Sequence, residues 1–193
     1  MEMLEIADPI FQNAVDAIDH GNISHLADLL ETNPDLVSRR LDTGEGYFKN
    51  PYLLWFVADN PIRQKKLAAN IVDITRLLLK FVHRYAKDSA QDQIDYAFGL
   101  VESGSVAREC NVQIDLIDLL IENGASASNA HDALANGNIE AARHILERTG
   151  KISLAAAVSL ERMDDVKQLL NTATMEEKQI ALMAASFFGK AEM

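Results

Sequence analysis

Histidine is the side chain most often used for acid–base or metal chemistry near neutral pH, and the chain has five of them: His20, His25, His83, His131 and His144. No two are four residues apart, the spacing of a helical zinc pair. There is no His-Glu-x-x-His, and no calcium loop of alternating aspartates around a central glycine. The one cysteine, Cys110, stands in Arg108-Glu109-Cys110-Asn111, and its thiolate would need a histidine brought to it by the fold before it could act as a nucleophile. Gly104-Ser105 lacks both the preceding strand and the second glycine of a nucleophile elbow. The paired acids Asp164-Asp165 and Glu176-Glu177 sit where helices begin, a position the helix dipole favours. No phosphate-binding glycine loop is present. These residues predict no catalytic site, no metal and no other cofactor, and hence a protein that is not an enzyme.

Recognition chemistry is better represented. Residues 39–56 hold Arg39, Arg40, two turn glycines (Gly44 and Gly46), and five aromatics: Tyr47, Phe48, Tyr52, Trp55 and Phe56. Arg, Tyr and Trp are the residues enriched at interface hot spots, and loops carried on a rigid scaffold are where binding usually resides. Arg39, Arg40, Tyr47, Phe48, Tyr52 and Trp55 are therefore the candidate partner-binding residues. Residues 42–46 suit the tip of a hairpin, and Trp55 with Phe56 also suits the core of a helix.

Composition limits what such a segment could meet. Of the 193 residues, 48% are hydrophobic and 24% charged, the balance of a folded chain. The formal net charge of −11 opposes general nucleic-acid binding, which needs a basic surface. That charge is uneven: residues 1–35, 36–87 and 88–193 carry net −8, +6 and −9, a basic middle able to steer an acidic partner. Apolar runs such as 52–58 are shorter than the roughly 20 residues a membrane helix requires. With an acidic N-terminus and a single cysteine, the expectation is a cytoplasmic protein with no membrane segment.

The elements that would position these residues come from a repeat. An apolar stripe with offsets 0, 3, 6 and 7 occurs five times. It starts as Ile23, Leu26, Leu29, Leu30, followed by Ile71, Ile74, Leu77, Leu78 and by Ile114, Ile117, Leu120, Ile121. It returns as Ile139, Ala142, Ile145, Leu146 and as Met163, Val166, Leu169, Leu170. These offsets fall on one face of a helix but on both faces of a strand, so each stripe predicts a helix, termed B. Small-residue helices, termed A, are predicted at 11–20, 128–136, 153–160 and 178–188, with alanine recurring near their ends at Ala17, Ala133, Ala157 and Ala185. Gly21-Asn22 and Gly137-Asn138 join A to B: the glycine ends one helix in the left-handed region and the asparagine caps the next. Asp8-Pro9 opens the first A helix, and Gly124 closes the third B helix. Insertions are assigned to 34–51, 60–68 and 99–111.

This arrangement resembles the ankyrin repeat, in Ala17, Gly21, Asn22, Leu29 and Leu30, again in Ala133, Gly137, Asn138, Ile145 and Leu146, and in Leu119 to Gly124-Ala125. The Thr-Pro-Leu-His start of that family is not intact, its nearest match being Asn50-Pro51-Tyr52-Leu53. Intervals as short as 24 residues between stripes also leave no room for the family's hairpin finger. The resemblance implies an all-α solenoid of stacked antiparallel helix pairs, about five and a half repeats in a single domain over 1–193, with the last repeat incomplete. It also implies a protein–protein interaction module that binds through its concave face and the 39–56 loop. Two alternatives are a groove-based small-molecule sensor or enzyme using Arg63, Lys65 and Lys66, and the N-terminal scaffold of a longer multidomain protein. Leu182, Met183, Phe187 and Phe188 leave the last repeat uncapped, so a monomer or weak self-association is expected.

Overall fold

The computed structural model describes residues 6–127 and 130–190, and among them there are helices and one isolated antiparallel bridge, Arg40 to Tyr52, but no strand. The chain divides into two compact units, Met1–Ser126 and Ala127–Met193.

The first unit contains α1 (Pro9–Asp19), α2 (Ile23–Thr32), α3 (Ile71–Tyr85), α4 (Ala90–Ser103), α5 (Ser105–Glu109) and α6 (Gln113–Glu122), with short 3-10 turns at Pro34–Val37, Gly46–Phe48 and Leu53–Ala58. Asp8 caps α1 as its position before Pro9 predicts, accepting hydrogen bonds from the amides of Ile10 at 2.9 Å and Phe11 at 3.0 Å. The first three stripes become α2, α3 and α6, and their inward positions Leu26, Leu30, Ile71, Ile74, Leu78, Ile117 and Leu120 are buried. Trp55 and Phe56, which also suit the core of a helix, lie in the tighter 3-10 turn Leu53–Ala58, all six residues of which are buried. It packs on α1, α3 and α4.

Residues 99–111 are not an insertion. They hold the end of α4, the whole of α5 and the turn into α6, so α5 and α6 form the third helix pair and α4 is an additional helix. Gln113, at the start of α6, is buried, and its Nε2 donates toward the carbonyls of Val101 at 2.9 Å, Gly104 at 3.2 Å and Glu102 at 3.3 Å. These are carbonyls at the C-terminal end of α4 that the helix itself leaves open.

In the second unit, α7 (His131–Ala135), α8 (Ile139–Thr149), α9 (Leu154–Ser159), α10 (Met163–Leu170) and α11 (Met175–Phe187) follow one another. The fourth and fifth stripes are α8 and α10. Residues 128 and 129, where the A helix of the fourth pair is expected to begin, and residues 191–193, where the last repeat is expected to break off, lie outside the described residues. Leu154, Ala157, Val158, Val166 and Ala181 form one buried cluster joining α9, α10 and α11. Thr174 opens α11 with a capping box, accepting from the Glu177 amide while Glu177 Oε2 accepts from the Thr174 amide at 2.7 Å. Two such orphan donors satisfied together fix the start of a helix.

One turn recurs in both units. The amide of Asn22 donates to Ala17 O at 2.8 Å, Val112 to Ala107 at 3.0 Å, Asn138 to Ala133 at 2.8 Å, Arg162 to Ala157 at 2.9 Å and Lys190 to Ala185 at 2.7 Å. The residue between donor and helix is left-handed each time, at Gly21, Asn111, Gly137, Glu161 and Gly189. This is a Schellman closure, and its alanine is the alanine that recurs in the sequence. Asn22 also caps α2 through its side chain, at 3.2 Å from the His25 amide, whereas the buried Asn138 makes no such cap.

Candidate functional site

The segment 39–56 folds back over the Arg40–Tyr52 bridge. The amide of Leu41 donates to Pro51 O at 3.0 Å and that of Asn50 to Thr43 O at 2.8 Å. The hairpin tip expected at 42–46 is thus a loop closed by one bridge, with Gly44 and Gly46 at positive φ where the chain reverses.

Within this loop the six candidate residues separate into two layers. Phe48 and Trp55, expected as partner contacts, are buried and are not offered to a partner. Their rings join a cluster because removing aromatic area from water outweighs any contact such a short loop could offer by exposing it. The centroids are 6.3 Å apart for Phe48 and Trp55 and 5.3 Å for Phe48 and Phe56, which in turn meets Phe11 at 5.9 Å. The Trp55 Nε1–H, which burial obliges to find a partner, donates to Gln93 O at 3.2 Å, and Tyr96 of α4 stacks on its ring at 4.1 Å.

The outer layer is Arg39, Arg40, Tyr47 and the half-buried Tyr52. Arg40 donates from Nε to Asn50 O at 2.7 Å, and its guanidinium carbon lies 5.0 Å from the Tyr52 ring centre and 5.5 Å from that of Trp55. Arg39 pairs with Asp8 at 2.9 Å and Asp35 at 3.3 Å and stays substantially exposed. Tyr47 is 59% exposed, yet its hydroxyl donates to Asn60 Oδ1 at 2.9 Å and its carbonyl accepts from the Tyr96 hydroxyl. Asn60 is held in turn by Leu100 O at 3.0 Å and Ser103 Oγ at 3.2 Å. The loop is therefore fastened to α4 at several points and presents one tyrosine and two arginines.

Beneath it lies a charged cluster that sequence reading missed. Asp59, buried and left-handed, accepts the amides of Arg63 at 2.9 Å, Gln64 at 3.1 Å and Lys65 at 2.9 Å on its carboxylate. Arg63 reaches Asp19 at 2.7 Å, donates to Phe56 O at 3.1 Å and lies over the Phe56 ring at 4.8 Å. Burial pushes the Asp19 carboxyl above its ordinary value, and the Arg63 charge pulls against that shift. The available signal was Asp59-Asn60-Pro61, an acid placed to fold the following backbone around itself.

Arg63, one of three residues proposed for an anionic ligand, is thereby committed to two carboxylates. Lys66 does line an open cleft of about 610 Å³, but with Asp19, His20, Gln64 and Asn70 beside it. The acid there opposes an anion. Two of the histidines make structural contacts: His20 Nδ1 lies 2.7 Å from Asp16 O at the end of α1, and His83 Nε2 lies 3.3 Å from Asn123 Oδ1. Cys110 Sγ accepts the Leu67 amide at 3.4 Å. Among the described residues no three His, Cys, Asp or Glu side chains converge to hold a metal ion, and no helix is long and apolar enough to cross a membrane.

Helices, repeated turns and a fastened loop define an all-helical protein organised around helix–turn–helix pairs. Compared with known proteins, the chain matches no family model, no curated protein and no solved structure.

Proposed function

We propose that this chain is a non-enzymatic protein-binding module, built of ankyrin-like helical repeats, that holds a protein partner through the exposed layer of the 39–56 loop. The observation that carries this reading is that Arg39, Arg40 and Tyr47 are all exposed on a loop that Phe48 and Trp55 anchor in the core. An aromatic residue with arginine neighbours, already ordered before binding, loses little conformational freedom on contact. The partner is a protein carrying acidic groups for the arginines, and it meets the chain in the cytoplasm. Neither nucleic acid nor a membrane is the target, because the net charge of −11 repels phosphate surfaces.

Arg40 and Tyr47 also hold the loop in place, through Asn50 O and Asn60 Oδ1, so the informative substitution is at Arg39. Affinity capture should compare the intact chain with Arg39→Glu, both checked for the same helical content. Loss of the captured partner by more than about tenfold is the expected result. Equal capture by the two folded proteins would remove the loop from the interface.

A further inference from the structure

Three arginines lie in or beneath the 39–56 loop, and two of them are already neutralised. Arg39 meets Asp8 at 2.9 Å and Asp35 at 3.3 Å, and Arg63 meets Asp19 at 2.7 Å and Asp59 at 3.8 Å. Arg40 pairs with no carboxylate among the described residues, although Asp42 and Glu45 follow it in the same loop. Its guanidinium is held all the same. Nε donates to Asn50 O at 2.7 Å, and the guanidinium carbon stands 5.0 Å from the Tyr52 ring centre and 5.5 Å from that of Trp55. Burial raises the Tyr96 hydroxyl above its ordinary value and the Arg40 charge pulls against that shift, so Arg40 lies close to the hydroxyl that donates to Tyr47 O. What remains is the outer edge of the fork: Nη1 and Nη2 of an exposed residue, with no partner among the described residues.

A guanidinium fixed at one nitrogen and laid on two rings is an anion receptor formed in advance, because little rotamer freedom is left to lose on binding and the ring faces replace part of its water. Geometry and charge then select the anion. With Nε committed, the open edge presents two parallel N–H groups, a spacing that the two oxygens of a carboxylate fill. A phosphorylated side chain carries roughly −1.5 to −2 charges at pH 7 and calls for more than one cation, whereas the adjacent Arg39 is engaged with Asp8 and Asp35. We propose that the Nη edge of Arg40 receives a carboxylate, that of an aspartate or glutamate on the partner protein, and that this residue sets the loop's preference for acidic protein segments. The proposal rests on the reading that the loop holds a protein. Two copies joined loop to loop would set Arg40 against Arg40, so a second copy's loop does not supply the carboxylate.

The test follows the fluorescence of Trp55, the only tryptophan of the sequence, while the full chain is titrated with end-capped hexaglutamate. Hexaglutamine and a phosphoserine peptide of the same length are titrated in parallel. The expected result is a saturable change with hexaglutamate, none with hexaglutamine, and no tighter binding of the phosphoserine peptide. Slowed rotation of the bound Arg40 guanidinium should appear in NMR as separate Nη–H signals, a reading made on the unaltered chain. Arg40→Lys, which keeps the charge and loses the fork, and Arg40→Gln should each weaken hexaglutamate binding at least about tenfold. No saturable binding, equal binding to Arg40→Lys, or tighter binding of the phosphoserine peptide would overturn the proposal. Self-association in sedimentation that Arg40→Gln abolishes would overturn it too. Partner capture lost in Arg39→Glu, with hexaglutamate binding indifferent to Arg40, sinks this proposal and leaves the loop reading standing. Hexaglutamate bound through Arg40, with capture unchanged in Arg39→Glu, supports the carboxylate site while the loop reading fails.

Discussion

Asp59 shows how one side chain can organise a loop that has no regular structure. Its carboxylate accepts three consecutive backbone amides, those of Arg63, Gln64 and Lys65, while Arg63 turns back to reach Asp19. Asp59→Ala should therefore cost about 2 to 3 kcal/mol in denaturant unfolding, since hydrogen bonds to a charged acceptor are worth roughly 1.5–3 kcal/mol each and water recovers part of the loss at the exposed amides. A change below about 0.5 kcal/mol would mean that the loop is held by its other contacts. Two other aspartates give opposite responses to pH. Asp8 sits below its ordinary 3.8, chiefly because the Phe11 amide stabilises its charge, with help from Ile10 and Arg39. It contributes stability above pH 3.8, which is lost as pH falls through its lowered folded value. Asp19 is raised by burial, so the folded chain holds its proton more tightly than the unfolded chain does. Its contribution is fully present below pH 3.8 and is lost as pH rises through its raised folded value. Carboxyl titration by NMR should place the two midpoints on opposite sides of that value, and Arg63→Gln should move Asp19 further up. An Asp19 midpoint below 3.8 would show that the Arg63 pair, and not burial, dominates.

At the scale of elements, a single hydrogen-bonding unit is reused with different residues. The left-handed position is glycine at 21, 137 and 189 but Asn111 and Glu161 elsewhere, which is why sequence punctuation revealed some pairs and hid the α5–α6 pair. The five stripes were legible because each keeps its apolar residues on one helical face. Helix α4 also keeps Ile94, Ala97, Phe98 and Val101 on one helical face, but at offsets 0, 3, 4 and 7, which differ from the 0, 3, 6, 7 stripe that marked the others, and it buries Gln93 as well. The Nε2 of the buried Gln93 donates to Val37 O at 2.9 Å, far away in sequence, as well as to the nearby Ser89 Oγ at 2.9 Å. Of the loop residues, sequence singled out a segment rich in aromatics and arginine but could not divide it. Which rings turn inward depends on Phe11 and Tyr96, distant in sequence. The turns also differ in their surroundings. At Gly21, φ is 74° and an added Cβ would lie 2.6 Å from Asn70 Oδ1, whose amide donates to Gly21 O at 2.9 Å, whereas at Gly137, φ is 71° and the space is open. Gly137→Ala should cost roughly 1 kcal/mol for the left-handed backbone, and Gly21→Ala about 1 kcal/mol more for the disturbed hydrogen bond. Equal melting shifts for the two variants would show that Asn70 moves aside without loss.

Across the whole chain, apolar burial is unequal. The largest fully buried side chains include Phe11, Phe56, Leu54, Ile71 and Leu78, all within Met1–Ser126. In Ala127–Met193 the cluster around α9 contains two alanines among its five buried members, and α10 and α11 each bury a single residue, Val166 and Ala181. The sequence stripes did not foretell this, because Met163 and Leu170 satisfy the helical spacing but are exposed; periodicity gives the face that could be buried, and only neighbouring elements decide whether it is. Burial stabilises by about 25 cal/mol per Å² of apolar surface, so helices with one small buried residue open at lower free energy than those buried along a whole side. Local opening in turn sets hydrogen exchange. Amides of α10 and α11 should therefore exchange at least about 100-fold faster than those of α3 and α6, equivalent to about 2.7 kcal/mol. Val166→Ala should widen that gap by accelerating α10 and α11 while leaving α3 unchanged, since additivity holds for sites that share no partners. Protection of α11 equal to that of α3 in the free chain would mean that its apolar face is already covered in solution.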